Sequence, residues 1–105
     1  MPRNTYKSFE YNRLNKVLHN RLRLAIMAAL AHSDEVDFVS LKNAVNATDG
    51  NLSIQLKKLS NEGYIAINKI IHKNRPQTNV ALTNEGRNAL KRYRNMLMDW
   101  FDYQN

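Results

Sequence analysis

Residues 37–62, DFVSLKNAVNATDGNLSIQLKKLSNE, constrain the fold more than any other stretch of the chain. In their second half Leu52, Leu56 and Leu59 recur at i, i+4 and i+7, the single narrow apolar stripe of a helix. At about 100° per residue, the opposite face carries Gly50, Ile54, Lys57, Lys58 and Asn61, flanked by Asn51 and Ser53. That face is polar and cationic, with no carboxylate until Glu62, and should look outward. Thr48 or Asp49 can cap the start by accepting a free backbone N–H, and Gly63 suits the left-handed position past the end. The spacing therefore predicts a helix over about 49–62. Phe38, Leu41, Ala44 and Val45 predict a shorter helix before it, and Val45 to Thr48 form a turn of small and polar residues where two helices cross closely.

Two such helices joined so tightly form a helix-turn-helix, a unit that lays its second helix in a DNA major groove. The charge agrees. Sixteen Lys and Arg stand against nine Asp and Glu, a formal net charge of +7, which suits a polyanionic partner. At 105 residues and 43% hydrophobic composition the chain is expected to be one domain with a packed core. There are no cysteines, which excludes disulfides, thiolate nucleophiles and thiolate metal sites. His19, His32 and His72 are widely separated, with no carboxylate at a metal-ligand spacing. The three glycines form no phosphate loop, and no serine lies in a nucleophile motif. The expectation is a binding protein, not an enzyme, with no metal and no cofactor. No apolar run approaches the roughly 20 residues a bilayer needs, and residues 1–10 have no apolar signal core, so a soluble, cytoplasmic protein is expected.

Residues 1–10 read as a polar arm in which Tyr6 and Phe9 can pack on something, a second subunit included. From Tyr11, residues Leu14, Val17, Leu18, Leu22, Ile26, Ala29 and Leu30 fall on one side at three- and four-residue steps. This is one helix to about His32, or a short helix followed by a second over residues 20–31 that His19-Asn20 caps. Arg13, Lys16, Arg21 and Arg23 make the segment basic. Ser33 to Glu35 break it, and Val36 to Phe38 read as a short extended edge. After Gly63 the period changes from 3.6 to 2: residues 64–71 predict a strand, Lys73 to Gln77 a loop bent by Pro76, and residues 78–82 a returning strand. The hairpin, about 64–82, has no acidic residue, and Lys69, His72, Lys73, Asn74, Arg75 and Pro76 gather near its tip. Thr83 caps a last helix, in which Leu90, Tyr93, Leu97, Trp100 and Gln104 step 3-4-3-4 as a two-heptad seam widened by Met96 and Phe101. Such aromatics need a cover, either the domain's own body or another copy. The seam's length favours a dimer through Leu90, Tyr93, Leu97, Trp100 and Phe101.

Helix, edge segment, two-helix unit, hairpin and terminal helix is the element order of a winged helix-turn-helix, an α+β fold that is mainly α. The chain resembles small winged-helix transcriptional regulators of the MarR/ArsR-like kind. The likeness is carried by LHNRLRLAI from Leu18, by TDGNLSIQLKKL from Thr48 with Gly63-Tyr64-Ile65 after it, by Asn74-Arg75-Pro76-Gln77-Thr78 at the wing tip, and by LTNEGR from Leu82. It covers about residues 14–93. It departs from the family in the milder charge of Ser60-Asn61-Glu62, in Asn74 at the wing glycine, and in lacking the metal-sensing cysteines. The resemblance implies residues 11–83 as the DNA-binding domain, residues 84–105 as a dimerisation helix, and a homodimer on double-stranded DNA. Recognition helices would enter major grooves about 10 bp apart, with wings on flanking backbone or minor groove. Asp49, Gly50 and Asn51 would start the recognition helix; Asn51, Ser53, Gln55 and Lys57 would reach base edges, Ile54 a thymine methyl, and Lys58 a phosphate. A small-molecule effector is compatible with this scheme but nothing in the sequence indicates one. The alternative is a winged-helix protein-interaction or assembly adaptor without DNA specificity.

Overall fold

The structure, a computed structural model, describes residues 8–102. One 3-10 turn, Tyr11–Arg13, precedes α1 (Arg21–Ala31), β1 (Val36–Asp37), α2 (Phe38–Val45), α3 (Asp49–Asn61), β2 (Ile65–His72), β3 (Arg75–Leu82) and α4 (Asn84–Phe101). The three strands form one antiparallel sheet in the order β1-β3-β2.

Of the two readings of the first segment, the divided one is realised in its second half only: the short upstream helix is a single 3-10 turn, and Leu14, Val17 and Leu18 lie in a loop and not on a helical stripe. The Asn20 side chain accepts from the Arg23 amide and starts α1 at Arg21. Upstream, Asn15 Oδ1 accepts from the amides of Val17 and Leu18 at 2.9 and 3.0 Å, while its Nδ2 donates to the Tyr64 hydroxyl at 2.9 Å. These bonds hold a non-helical loop that drives Leu18 fully into the core. Helix α1 is the central element, with Ile26, Met27 and Leu30 buried and Leu22, Leu24 and Ala29 packed around them. Met27 lies outside the stripe the spacing predicts. A helix contacted by α2, α3, α4 and β3 buries more than one face.

Two left-handed residues set the path of the chain around α3. Asn46, at φ 55°, ends α2 and lets the Ala47 amide reach the Lys42 carbonyl at 3.1 Å. Gly63, at φ 83°, ends α3, with the Tyr64 amide on the Leu59 carbonyl at 3.0 Å. Leu52, Leu56 and Leu59 are buried as the stripe requires. In α2 only Leu41 is buried, and Ala44 faces solvent, contrary to its place in the expected stripe.

The hairpin corrects the sequence reading. Its connection is the two residues Lys73 and Asn74, at φ 51° and 62°, the signature of a type I′ turn. Pro76 bends no loop; it sits in β3 opposite Ile71. A strand proline is tolerated where its missing N–H would have faced an open edge. That condition holds here, because β1 pairs β3 only at Val80 and Asn79, and among the described residues the outer half of β3 has no second neighbour.

Helix α4 starts on the α3–β2 junction. Thr83 caps it by accepting from the Gly86 amide, donates its hydroxyl to the Gly63 carbonyl at 2.6 Å, and gives its own amide to the Tyr64 carbonyl at 3.0 Å. Gly86 passes so close to Tyr64 that a Cβ there would lie 2.0 Å from the Tyr64 carbonyl oxygen.

Candidate nucleic-acid interface

The outward face of α3 is positioned by its ends. Thr48 Oγ1 accepts from the Asn51 amide at 3.2 Å, which fixes the first turn. Gly50 has open space where a side chain would stand. Asn51, Ser53, Lys57 and Lys58 are exposed, and so is Ile54, at 55% of its surface, as its place opposite the leucine stripe requires. Asp49 is the one carboxylate at the head of this face, and Lys42 of α2 meets it at 2.9 Å. Both partners are solvated, so the pair adds little stability, but it offsets a negative charge where an anion would approach. The sequence reading did not single out Lys42; it stands seven residues before Asp49, across a turn whose course only the fold reveals.

Gln55 is half-buried and already engaged. Its Oε1 accepts from Arg23 Nη1 at 2.7 Å, and its Nε2 donates to Asn51 Oδ1 at 3.0 Å. Arg23 is held in turn by its Nε on the Val17 carbonyl at 2.6 Å. Arg23 therefore supports α3 from behind, through contacts 6 and 32 residues away.

The wing residues Lys69, His72, Lys73, Asn74, Arg75 and Pro76 are all exposed, but they do not form one cluster. Strand alternation puts Lys69 on the side of the buried Ile65, where it lines a groove against α3 with Lys57, Ser53 and Thr78. His72 and Arg75 are cross-strand neighbours on the opposite side. Lys73 and Asn74 form the turn itself. The hairpin thus offers cations on both faces and at its end.

The terminal seam is divided by the fold. Tyr93 is buried and its hydroxyl lies 2.6 Å from His19 Nδ1, so it belongs to the body of the domain. Burial holds the Tyr93 hydroxyl above its ordinary pKa. Leu90 and Leu97 pack partly on the core. Trp100 is half-buried, with the Phe9 ring at 5.9 Å. Met98 and Phe101 are 59% and 73% exposed, and Phe9 and Tyr11 are 59% and 83% exposed. Tyr6 and Gln104 lie outside the described residues. No helix among the described residues is long and apolar enough to cross a membrane.

Comparison with known proteins agrees with this arrangement. Residues 22–101 match the winged helix DNA-binding domain. An uncharacterized protein of Methanocaldococcus jannaschii is 38% identical over 78 residues, which is 74% of this chain and 85% of that one. A transcriptional regulator homologue from Pyrococcus horikoshii superposes with a TM-score of 0.74 at 29% identity, covering 83% of this chain and 89% of the other. A MarR family transcriptional regulator from Silicibacter pomeroyi shares the fold with a TM-score of 0.64 at 18% identity, over 77% of this chain and 53% of its own. The chain thus belongs to the winged-helix DNA-binding family, with the fold of MarR-type transcriptional regulators.

Proposed function

We propose that this protein is a sequence-specific regulator of transcription that binds double-stranded DNA as a cytoplasmic homodimer, and that it catalyses no reaction. The observation that carries the reading is the outer face of α3. Asn51, Ser53, Ile54, Lys57 and Lys58 stand free of the core, and the carboxylate at their head is matched by Lys42. Short polar side chains there suit base edges, and the lysines suit phosphates. The wing, free of acidic residues and carrying Lys69, His72, Lys73 and Arg75, supplies flanking backbone or minor-groove contacts.

The dimer is proposed through the end of α4 and the arm. Met98 and Phe101, three residues apart on α4, line one exposed groove that a second copy would cover, and Phe9 and Tyr11 are exposed apolar side chains of the preceding segment. Leu97 lines the same groove and Trp100 meets the Phe9 ring, whereas Tyr93 serves the domain core. Two copies joined there would present their α3 helices to successive major grooves, with half-sites about 10 bp apart.

Selection of bound sequences from a random duplex pool tests the proposal. A recovered two-fold symmetric site is expected, bound much more tightly than scrambled DNA. Binding to no duplex at low salt would refute it and favour the adaptor reading.

A further inference from the structure

We propose that Arg23, a residue of α1 and not of the recognition helix, is a specificity-determining positioning residue: through Gln55 it sets which way the Asn51 amide faces DNA, and so favours guanine over adenine at the contacted base. The inference rests on the DNA-binding reading above and deepens it.

The direction of the relay follows from donor chemistry. A guanidinium has five N–H donors and no acceptor, so the Gln55 atom 2.7 Å from Arg23 Nη1 must be the amide oxygen. The Gln55 NH2 then faces the other way, where Asn51 lies at 3.0 Å. An NH2 group cannot accept from another, so Asn51 turns its oxygen back toward Gln55 and its own NH2 away. The chain of donation runs from Arg23 to Gln55 to Asn51 and ends in donors on an exposed side chain. Arg23 cannot readily release the relay, because its Nε is on the Val17 carbonyl at 2.6 Å and its amide is bonded to the Asn20 cap.

An unconstrained asparagine reads adenine by giving one hydrogen bond to N7 and accepting one from N6. Asn51 has its oxygen engaged and turned back, so it offers donors. Guanine presents two acceptors, N7 and O6, on its major-groove edge, whereas adenine presents an acceptor and a donor. Guanine is therefore the base this arrangement prefers, by about tenfold over adenine.

The test uses the full chain and the duplex recovered by selection, with every single-base variant of that duplex and a scrambled control, all at one salt concentration. Wild type, Arg23→Met and Gln55→Glu are compared. For wild type, one position per half-site should prefer guanine over adenine about tenfold. Arg23→Met removes the donor and should flatten that ratio to about threefold or less while sparing the other positions. Gln55→Glu keeps an oxygen for Arg23 and thus the support of α3, but has no proton for Asn51. The Asn51 NH2 then turns to the new carboxylate, its oxygen faces outward, and preference at that position should move to adenine or cytosine, which offer a donor. The added charge weakens all duplexes alike and cancels in the ratios. A wild type that selects a sequence but whose profile is unchanged in Gln55→Glu overturns the relay alone. A wild type with no sequence preference overturns the relay together with the DNA-reading proposal beneath it.

Discussion

Replacing Gly86 by Ala puts a methyl group where α4 crosses the backbone of Tyr64. The new Cβ would stand 2.0 Å from the Tyr64 carbonyl oxygen, 2.8 Å from its carbonyl carbon and 2.9 Å from its Cα. All three are main-chain atoms, so no side-chain rotation relieves the overlap. Carbon and oxygen settle no closer than about 3.3 Å, and the start of α4 must therefore retreat by about 1 Å. That movement strains both Thr83 bonds, the amide on the Tyr64 carbonyl and the hydroxyl on the Gly63 carbonyl. Overpacking costs about 1–3 kcal/mol, and each lost hydrogen bond about 1 kcal/mol. The better helix propensity of alanine returns about 1 kcal/mol. The net loss is about 2–4 kcal/mol, read from urea denaturation with an unchanged m-value. Gly50→Ala is the matched control, because nothing lies within 4 Å of its Cβ position; it should be neutral or more stable by up to about 1 kcal/mol. A Gly86→Ala protein within about 0.5 kcal/mol of wild type would refute the view that α4 is seated by backbone contact.

Arg75→Ala should weaken cognate and scrambled duplexes together and shrink the slope of log K against log salt by about one unit; an unchanged slope and affinity would leave the wing tip merely solvated. Met98→Glu with Phe101→Glu should give folded monomers with much weaker DNA binding, checked by sedimentation, and a wild type that sediments as a monomer at micromolar concentration would end the dimer proposal. Ile54→Ala should relax preference at one base position while stability changes by no more than about 0.5 kcal/mol; a loss of several kcal/mol on chemical denaturation would show the side chain to be packed. Asp37 caps α2, and the Ser40 hydroxyl, followed by the Ser40 amide, holds its carboxyl below the ordinary value. The folded pKa is the lower one, so its contribution is full above the ordinary aspartate pKa of about 3.9 and fades as pH falls below it. Denaturation of wild type and Asp37→Asn across acidic pH should show their stability gap narrowing only below about pH 4, and a gap constant down to about pH 3 would contradict this.

Elements whose signals are local were legible in the sequence. The Leu52–Leu56–Leu59 stripe, the Thr83 cap and the left-handed Gly63 each depend on neighbours a few residues away and are found where the spacing puts them, and of the two caps open to α3 it is Thr48 that serves. The wing turn was misread because Lys73-Asn74 lacks the glycine that marks a two-residue hairpin, so the proline drew the turn toward itself. Met27 was missed because one apolar stripe cannot reveal that other elements press on the remaining sides of α1. Leu90, Tyr93, Leu97 and Trp100 do share the less exposed side of α4, but such a stripe does not name its partner: His19, 74 residues away, takes Tyr93 for the domain's own core. Arg23 looked like one more surface cation, since nothing within a helical turn of it announces Gln55.

The short reach of β1 has a consequence for the protein at high concentration. Beyond Asn79, toward its tip, the hairpin is unpaired along both borders among the described residues: β2 pairs only with β3, and β1 stops at its two pairs. Open borders with Ile70 and Ile71 exposed nearby are templates for pairing with another chain. Pro76 removes an amide from one border, and Lys69 places a charge beside the other. The segment proposed to reach DNA is thus also where the chain is most open to strand addition, and a proline that breaks no turn keeps one of its two sides closed to it.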